Sequence, residues 1–254
     1  MALFKRKPKP KPRPYCAAVV PAAGQGLRMG GDGKMLREID GQPVIGHTLL
    51  ALERCTHIDE IVIAARSEDI LPISDLCKAL GITKARRVIR GGETRAKSVL
   101  AALLECSEQC DVAAIHDGAR PCVTPALIGA VVQKAAETGA AVPGIYMADT
   151  VKALNEFGQV THTLDRSQMA TVQTPQCFEP GLIKGALTKA LRDKLPLTDD
   201  CSAVEALGMP VTMVPGDPCN IKVTTKEDLL LAEAILSQMR NLKKEHGFAI
   251  ERGF

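Results

Sequence analysis

The chain has 254 residues, of which 46% are hydrophobic and 24% charged, with no Trp and a formal net charge of +3. No uninterrupted apolar run approaches the ~20 residues that a membrane-spanning helix needs, so no membrane span is expected. The positive charge is concentrated in the first fourteen residues, where Lys and Arg alternate with Pro. Because the rest of the chain is near neutral or slightly acidic, we expect no nucleic-acid-binding face.

The segment 1–15 lacks the apolar stretch of a secretory signal and is predicted to be a disordered, polyproline-like tail. Attachment of this tail to an anionic surface is the alternative. Nine Cys residues are spread along the chain with no C-x-x-C pair and no His at zinc-ligand spacing. This pattern favours reduced, buried thiols in a cytoplasmic protein.

Short β-rich runs alternate with amphipathic helical patterns in the first half of the chain. The predicted strands are 16–20, 60–65, 87–90 and 111–115, and the predicted helices are 43–54, 69–80, 94–106 and 124–139. This alternation predicts an α/β fold with a Rossmann-like, mainly parallel sheet and helices on both faces. Ligands of such sheets bind outside the carboxyl ends of the strands, so the segments that leave those ends are the candidate site.

The pattern changes after Gly139. A strand at 140–147 precedes a predicted β-hairpin, which forms a protruding arm at about 149–166. A hairpin alone is marginally stable, so the arm is expected to lie on its own domain or on another subunit. The remaining predictions are a strand region at 171–179, helices at 181–192, 198–207 and 225–239, and strands at 210–214 and 220–224. We therefore predict one domain, 16–240, and a C-terminal tail, 241–254.

The first candidate segment is a glycine loop that leaves the first strand. Gly24 and Gly26 are followed by Arg28 and Lys34. Residues without a Cβ allow backbone N–H groups to close around phosphoryl oxygens, and the two cations supply the countercharge of a triphosphate. The loop is not a dinucleotide fingerprint, because Met29 replaces its third glycine, and it is not a P-loop, which needs Ser or Thr after the Lys. Alone, it indicates a nucleotide or another phosphate ligand.

The second segment contains Gly91 and Gly92 at the end of a strand, with Glu93 and Ser98 close behind. Its backbone can approach a planar ligand, and the two side chains can hydrogen-bond a base edge. A plain glycine turn with a Thr cap is the alternative.

The third segment carries Asp117 and Arg120. Asp117 can accept from a ribose hydroxyl or help to hold Mg²⁺, and Arg120 can clamp a phosphate, while an internal Asp–Arg pair is the alternative. Further along, Lys222 lies in an otherwise apolar predicted strand, where a buried unpaired cation is costly, so an anionic partner is expected. Three residues near the base of the arm can reach a neighbouring subunit's site: Thr150, Lys152 and Arg166.

Seven motifs occur in order between about Cys16 and Met239. They are Pro21-Ala22-Ala23-Gly24-x-Gly26-x-Arg28-Met29-Gly30, Gly91-Gly92-x-x-Arg95-x-x-Ser98-Val99, His116-Asp117-x-Ala119-Arg120-Pro121, Asp149-Thr150-x-Lys152, Thr174-Pro175-Gln176, Thr198-Asp199-Asp200 and Asn220-Ile221-Lys222-Val223-Thr224. Together they resemble the 2-C-methyl-D-erythritol 4-phosphate cytidylyltransferase family. One departure is Gly33-Lys34-Met35, where the family usually has Pro-Lys-Gln, although the Lys is retained.

The resemblance implies transfer of CMP from CTP to 2-C-methyl-D-erythritol 4-phosphate, with Mg²⁺ held by ligands that the sequence does not identify. It implies nucleotide binding by Pro21, Ala22, Ala23, Gly24, Gly26, Gly91, Gly92, Glu93, Ser98, Asp117 and Gly118. It implies transition-state stabilisation by Arg28, Lys34 and Lys222. It implies acceptor binding by Arg120, Thr150, Lys152, Arg166 and Thr174, with Thr150 and Arg166 crossing from the partner in a homodimer with exchanged arms.

No protein nucleophile or general base is expected, because a phosphate monoester is already anionic and catalysis then depends on alignment and charge neutralisation. Two alternatives share the nucleotide site: a sister cytidylyltransferase that uses ribitol 5-phosphate, and a non-catalytic nucleotide sensor. The length leaves no space for the cyclodiphosphate synthase domain to which some relatives are fused, so a single reaction is expected.

Overall fold

The computed structural model describes residues 13–24 and 34–251, and the side chains of 13–24 and 35–242. The predicted N-terminal tail therefore lies almost wholly outside the described residues. The elements are β1 Cys16–Pro21, β2 Glu38–Ile39, β3 Gln42–Pro43, α1 Val44–Arg54, β4 Glu60–Ala65, α2 Ile70–Ala79, β5 Ala85–Arg90, α3 Arg95–Leu104, β6 Val112–Ile115, α4 Pro125–Thr138, β7 Ala140–Tyr146, β8 Lys152–Leu154, β9 Val160–Thr163, β10 Ala170–Val172, β11 Gln176–Phe178, α5 Pro180–Arg192, α6 Asp200–Glu205, β12 Thr212–Pro215 and α7 Lys226–Glu251.

The main sheet has the strand order β10-β7-β11-β6-β1-β4-β5, and β12 also pairs with β7. The block β6-β1-β4-β5 is parallel, and so is the pair of β12 with β7. Strand β11 lies antiparallel between β6 and β7, and β10 is antiparallel to β7. The predicted Rossmann-like, mainly parallel sheet is confirmed.

Helices cover both faces of the sheet, and alternate residues of β1 show how the core is divided. Ala18 and Val20 pack in a cluster with side chains of α1, α2 and α4, whereas Val19 packs in a second cluster with side chains of α3, α5 and α6. Strands buried on both faces must be apolar throughout, which explains why β1, β4 and β6 are fully buried.

Two predicted strands were wrong in detail. The region 171–179 forms two short strands, β10 and β11, and Pro175 between them has no N–H to donate to a ladder. The segment 220–224 is irregular. Its Val223 N–H donates to the Ala119 carbonyl at 2.8 Å, so this segment is fixed to the loop after β6 and not to a strand of the sheet.

The predicted arm is confirmed as a separate two-stranded sheet of β8 and β9. Its apolar side chains Leu154, Phe157 and Val160 are 60%, 78% and 60% exposed. Helix α7 continues beyond the predicted end at residue 239 to Glu251. Within the described ranges, no helix has the length and hydropathy to cross a membrane.

Candidate nucleotide site

The chain that leaves β1 is held by the ends of its neighbours. The Ala22 N–H donates to the Ala64 carbonyl at 2.7 Å, and the Gly118 N–H donates to the Pro21 carbonyl at 3.5 Å. Ala22 is buried, whereas Gly24 is exposed. The predicted nucleotide segment therefore starts at the carboxyl edge of the parallel strands, with its backbone fixed from both sides.

The cationic part of the glycine loop is only partly described. Gly26 and Arg28 lie outside the described residues, and so does the side chain of Lys34, although Lys34 begins a short 3₁₀ turn. The next residue, Met35, is buried, and its sulfur would lie 3.5 Å from a Cβ built on Gly118. The chain at Lys34 therefore returns beside the loop that carries Asp117. The roles of Arg28 and Lys34 stay predictions.

The second glycine segment packs directly on the first. A Cβ built on Gly91 would lie 2.6 Å from the Ala23 Cβ and 2.9 Å from the Ser98 Oγ. Real Cβ atoms do not approach so closely, so only glycine permits this contact. The fold thus brings together two of the segments predicted to bind the nucleotide.

Ser98 and Glu93 make local contacts in this structure. Ser98 is 2% exposed, and its hydroxyl accepts from the Gly92 N–H at 3.0 Å and donates to the Thr94 carbonyl at 3.0 Å. Glu93 is exposed and pairs with Lys97, which lowers its pKa through that hydrogen bond. A glycine turn with a Thr cap accounts for these contacts, and the predicted contacts with a base stay predictions.

Asp117 is the centre of a charged cluster. Its carboxylate lies 3.1 Å from Arg95 Nε, 2.7 Å from Lys222 Nζ and 3.8 Å from Arg120 Nε. Burial alone would raise the pKa of Asp117, but the attraction of Arg95, Lys222 and Arg120 outweighs it and holds the pKa well below its ordinary value. Asp117 is therefore an anion, and the expected anionic partner of Lys222 is confirmed.

Arg95 joins this cluster to a second carboxylate. Its Nη1 lies 2.7 Å from Asp200 Oδ2, and the Asp200 side chain is 1% exposed. Burial raises the pKa of Asp200 to about 6, although Arg95 opposes the shift. The Gln176 amide oxygen accepts from the N–H groups of Asp200 and Cys201 at 3.0 and 3.1 Å, which holds the start of α6 in place.

Comparisons with known proteins show the family of this chain. The family model described as 2-C-methyl-D-erythritol 4-phosphate cytidylyltransferase matches residues 16–238. The chain belongs to this family. Relatives of that name from Syntrophus aciditrophicus and Halalkalibacterium halodurans are 41% and 42% identical, over 92% and 87% of this chain and 98% and 97% of their own. The solved structure of the Thermus thermophilus enzyme of that name has a TM-score of 0.72 at 32% identity, covering 87% of this chain and 98% of its own.

A crystal structure of 4-diphosphocytidyl-2C-methyl-D-erythritol synthase from Anaerococcus prevotii matches with a TM-score of 0.79 at 30% identity, covering 88% of this chain and 96% of its own. The shared fold extends over the sheet that carries the Asp117 cluster.

Arg120 faces inward. Its Nη1 donates to the Asn220 carbonyl at 2.7 Å, and its side chain is 11% exposed. Burial lowers the pKa of Arg120, and Asp117 opposes that shift. These contacts fit the alternative of an internal Asp–Arg pair, and a contact of Arg120 with the acceptor phosphate stays a prediction.

Thr174 is also turned into the protein. It is 4% exposed, and its hydroxyl accepts from the Asp117 N–H at 3.0 Å and lies 3.0 Å from His116 Nδ1. The predicted contact of Thr174 with the acceptor stays a prediction, because in this structure the hydroxyl contacts the residues that carry the Asp117 loop.

The arm residues are exposed and bond locally. Lys152 Nζ donates to the Thr163 hydroxyl at 2.6 Å, and Arg166 Nη1 donates to the Ala148 carbonyl at 2.5 Å. Among the described residues, no hydrogen bond or ion pair joins Thr150, Lys152 or Arg166 to the Asp117 cluster. The contribution of these residues to the acceptor site of a partner chain stays a prediction.

Four side chains that the sequence did not single out belong to this network: Arg95, His116, Asp200 and Asn220. All four stand inside the family motifs, which is the one signal that points to them. Their spacing along the chain does not predict their contacts, because each comes from a different element. In the part of the chain that is described, no group of three or more His, Cys, Asp or Glu side chains is arranged to hold a metal ion.

Proposed function

We propose that this chain transfers CMP from CTP to 2-C-methyl-D-erythritol 4-phosphate, releasing pyrophosphate and 4-diphosphocytidyl-2-C-methyl-D-erythritol. The observation that carries this proposal is the ionised Asp117 with Lys222 and Arg95 beside it, at the sheet edge where the two glycine segments meet. Membership of the family supplies the identity of the nucleotide and of the acceptor.

The nucleotide would bind along this edge. The base would lie against the backbone of segments 21–23 and 91–93 and near Ser98. The ribose hydroxyls would meet the Asp117 carboxylate and Gly118. The triphosphate would lie on the loop from Gly24 through Gly26 to Arg28. The closeness of Gly91 to Ala23 supports a flat, tight platform for the base.

The reaction would be a direct displacement. A phosphate oxygen of the acceptor attacks the α-phosphorus of CTP, the bond from that phosphorus to the bridging oxygen breaks, and pyrophosphate leaves with the electron pair. The protein's part is alignment and neutralisation of the charge that develops in the transition state. Arg28, Lys34 and Lys222 would supply that neutralisation. Lys222 suits this role because its side chain is 41% exposed and can turn from Asp117 to a phosphate.

In the proposed reaction, Mg²⁺ would bind together with the triphosphate of CTP. The described side chains do not form a metal cage of their own. The Asp117 carboxylate at this edge is already paired with cations. Phosphate oxygens and water would therefore be the main ligands, as is usual for Mg²⁺ with nucleotides. When bound, the ion would neutralise part of the triphosphate charge.

We further propose a cytoplasmic homodimer with exchanged arms. The exposed apolar side chains of the arm, Leu154, Phe157 and Val160, support a partner surface. The partner's arm would bring Thr150, Lys152 and Arg166 to the acceptor, next to Arg120.

Pyrophosphate release from CTP tests the function, with 2-C-methyl-D-erythritol 4-phosphate and ribitol 5-phosphate as separate acceptors. We expect turnover with the first acceptor, and activity with ribitol 5-phosphate alone would contradict the proposal. Lys34→Ala should still bind CTP but lose turnover. A wild-type chain that binds CTP yet turns over neither acceptor would instead be a nucleotide sensor.

A further inference from the structure

His116 is a fully buried polar side chain that the proposed reaction does not use. It follows β6 directly, and its N–H donates to the Val19 carbonyl at 2.8 Å. Both of its ring nitrogens have neighbours: Nδ1 lies 3.0 Å from the Thr174 Oγ1, and Nε2 lies 3.4 Å from the Arg120 carbonyl. The ring thus lies between the turn before β11 and the loop that carries Asp117.

The hydrogen-bond partners determine where the protons lie. The Arg120 carbonyl can only accept, so Nε2 must carry the ring proton and donate to it. Nδ1 is then an acceptor, and it receives the proton of the Thr174 hydroxyl. The Thr174 oxygen in turn accepts from the Asp117 N–H at 3.0 Å. With the opposite tautomer, Nε2 would present a lone pair to the Arg120 carbonyl.

This arrangement requires a neutral ring. The pKa of His116 is lowered to about 4, mainly by burial; the attraction of Asp117 opposes this shift and the Arg120 guanidinium adds to it. At neutral pH the ring is therefore uncharged and can accept at Nδ1.

The Asp117 carboxylate needs such support. Arg95 and Lys222 attract different oxygens of this carboxylate, at 3.1 and 2.7 Å. The main chain at Asp117 is held from the other side by Thr174. The Thr174 carbonyl accepts from Asn220 Nδ2 at 2.9 Å, so Thr174 is itself fixed.

We propose that His116 is a positioning residue, which fixes the main chain of Asp117 through the Thr174 hydroxyl and so directs the Asp117 carboxylate towards the ribose of CTP. The choice of CTP as the ligand rests on the proposed function. In this role His116 touches no substrate, but it determines how strongly the site distinguishes a ribose from a deoxyribose.

Two variants with side chains of similar shape separate the effect of the His116 hydrogen bond from the effect of its packing. In His116→Asn, the amide oxygen can replace Nδ1 as the acceptor, whereas His116→Leu has a similar outline and no acceptor. Calorimetry on the full chain would give the affinities for CTP and for its 2′-deoxy and 3′-deoxy analogues. We expect the wild type to prefer CTP over at least one analogue.

We expect His116→Leu to bind CTP about tenfold more weakly than the wild type does, which is the usual effect of losing one well-placed hydrogen bond. Its affinity for the analogue that the wild type binds less tightly than CTP should change little. His116→Asn should keep the preference for CTP to within about threefold. Thr174→Val should lose the preference for CTP as His116→Leu does, and Thr174→Ser, which keeps the hydroxyl, should retain that preference. The preference is the ratio of the affinities for CTP and for the analogue, both measured on the same variant. A general loosening of the fold would weaken both affinities and leave this ratio unchanged.

Equal weakening for CTP and both analogues in His116→Leu would overturn the proposal, and so would a wild type with no preference. If His116→Leu fails to fold, an unchanged preference in Thr174→Val overturns it just as well. The affinities need no turnover, so inactivity of the wild type with either acceptor would contradict the proposed function alone. A wild type that does not bind CTP would overturn both.

Discussion

The ammonium group of Lys222 lies 2.7 Å from the carboxylate of Asp117, and the two side chains differ sharply in exposure, at 41% and 9%. The carboxylate is also compensated by Arg95 at 3.1 Å. Removal of Lys222 therefore leaves Asp117 with a partner, while it removes the cation that is free to turn outward. We expect such a change to affect the reaction more than the fold.

Lys222→Met should lower kcat by about a hundredfold or more, the usual effect of losing one preorganised group that stabilises developing charge. The affinity for CTP should fall by less than tenfold, and the melting temperature should change little. Pyrophosphate release, calorimetry and thermal unfolding measure the three quantities. Lys78→Met is the matched control, because Lys78 belongs to an exposed ion pair on α2. Equal losses in kcat and in CTP affinity would contradict the role of Lys222 in the transition state.

Arg95 should be important for stability, because its removal leaves Asp200 buried without a cation. We expect Arg95→Leu to lower the free energy of unfolding by about 3–5 kcal/mol at neutral pH. The double variant Arg95→Leu/Asp200→Asn should recover part of that loss, since it also removes the unpaired charge. Urea unfolding of the single and double variants gives the coupling energy.

The matched control is the more exposed pair of Arg87 with Glu105. The same double-mutant cycle there should give a coupling of about 0–1 kcal/mol. Strictly additive effects of the Arg95 and Asp200 variants would show that the buried pair is not coupled.

Gly91→Ala should abolish CTP binding, because the new Cβ would lie 2.6 Å from that of Ala23 and the two segments would have to separate. Gly185→Ala is the control: it lies in α5, and nothing lies within 4 Å of a Cβ built there. That substitution should raise the free energy of unfolding by about 0.4–1 kcal/mol and leave CTP binding unchanged. Calorimetry and urea unfolding measure both effects. A Gly91→Ala chain with wild-type affinity would show that this contact does not shape the nucleotide site.

The apolar surface of the arm should control the oligomeric state. Phe157→Ser, at a side chain 78% exposed in one chain, should shift sedimentation towards the monomer. Leu71→Ser replaces a similarly exposed side chain on α2, 74% exposed, and should sediment like the wild type. A wild type that sediments as a monomer at all concentrations would rule out the proposed dimer.

Mixing two inactive variants tests the exchange of arms directly. If each site combines Lys222 of one chain with Arg166 of the other, one site of a mixed dimer of Lys222→Met and Arg166→Ala contains both wild-type residues. Activity should then return on mixing and subunit exchange. If Arg166 serves the site of its own chain, every site lacks one residue and the mixture stays inactive.

The buried His116 should make the protein less stable in acid. Its folded pKa, about 4, lies below the ordinary value of 6.5. Below about pH 6.5 the His116 ring binds a proton in the unfolded chain but not in the folded chain, so the free energy of unfolding falls as the pH drops towards about 4. At about pH 5 this effect amounts to roughly 2 kcal/mol. His116→Asn lacks this group, so the difference in unfolding free energy between wild type and variant should shift by about that amount between about pH 7.5 and 5. A constant difference would contradict a buried neutral ring.

Much of the fold follows from local patterns. The strands of β1, β4 and β6 and the helices α1, α3 and α4 are predictable because apolar periodicity, Gly and Pro act over a few neighbouring residues. The start of α4 is an example, since the Thr124 hydroxyl accepts from the Leu127 N–H and Pro125 follows the cap. By the same reasoning, the segments at the carboxyl ends of the strands are where a ligand is expected to bind.

Local patterns did not predict the segment 220–224, which has the apolar composition of a strand. Its Val223 N–H donates to the Ala119 carbonyl in the loop after β6, and no short-range signal specifies that partner. The division of Thr171–Glu179 into β10 and β11 has a similar origin, since Gln173 and Thr174 bond to groups far along the chain.

The amino-acid sequence by itself determined the α/β class, the arm, the glycine segments and the family, because these are written in neighbouring residues and ordered motifs. Tertiary structure alone decided which charges meet: Arg95 with Asp200, Lys222 with Asp117, and His116 with Thr174. Each of these contacts joins elements that are distant in sequence, and the energy of a charge or a buried hydrogen bond depends on the partner and the burial that folding supplies.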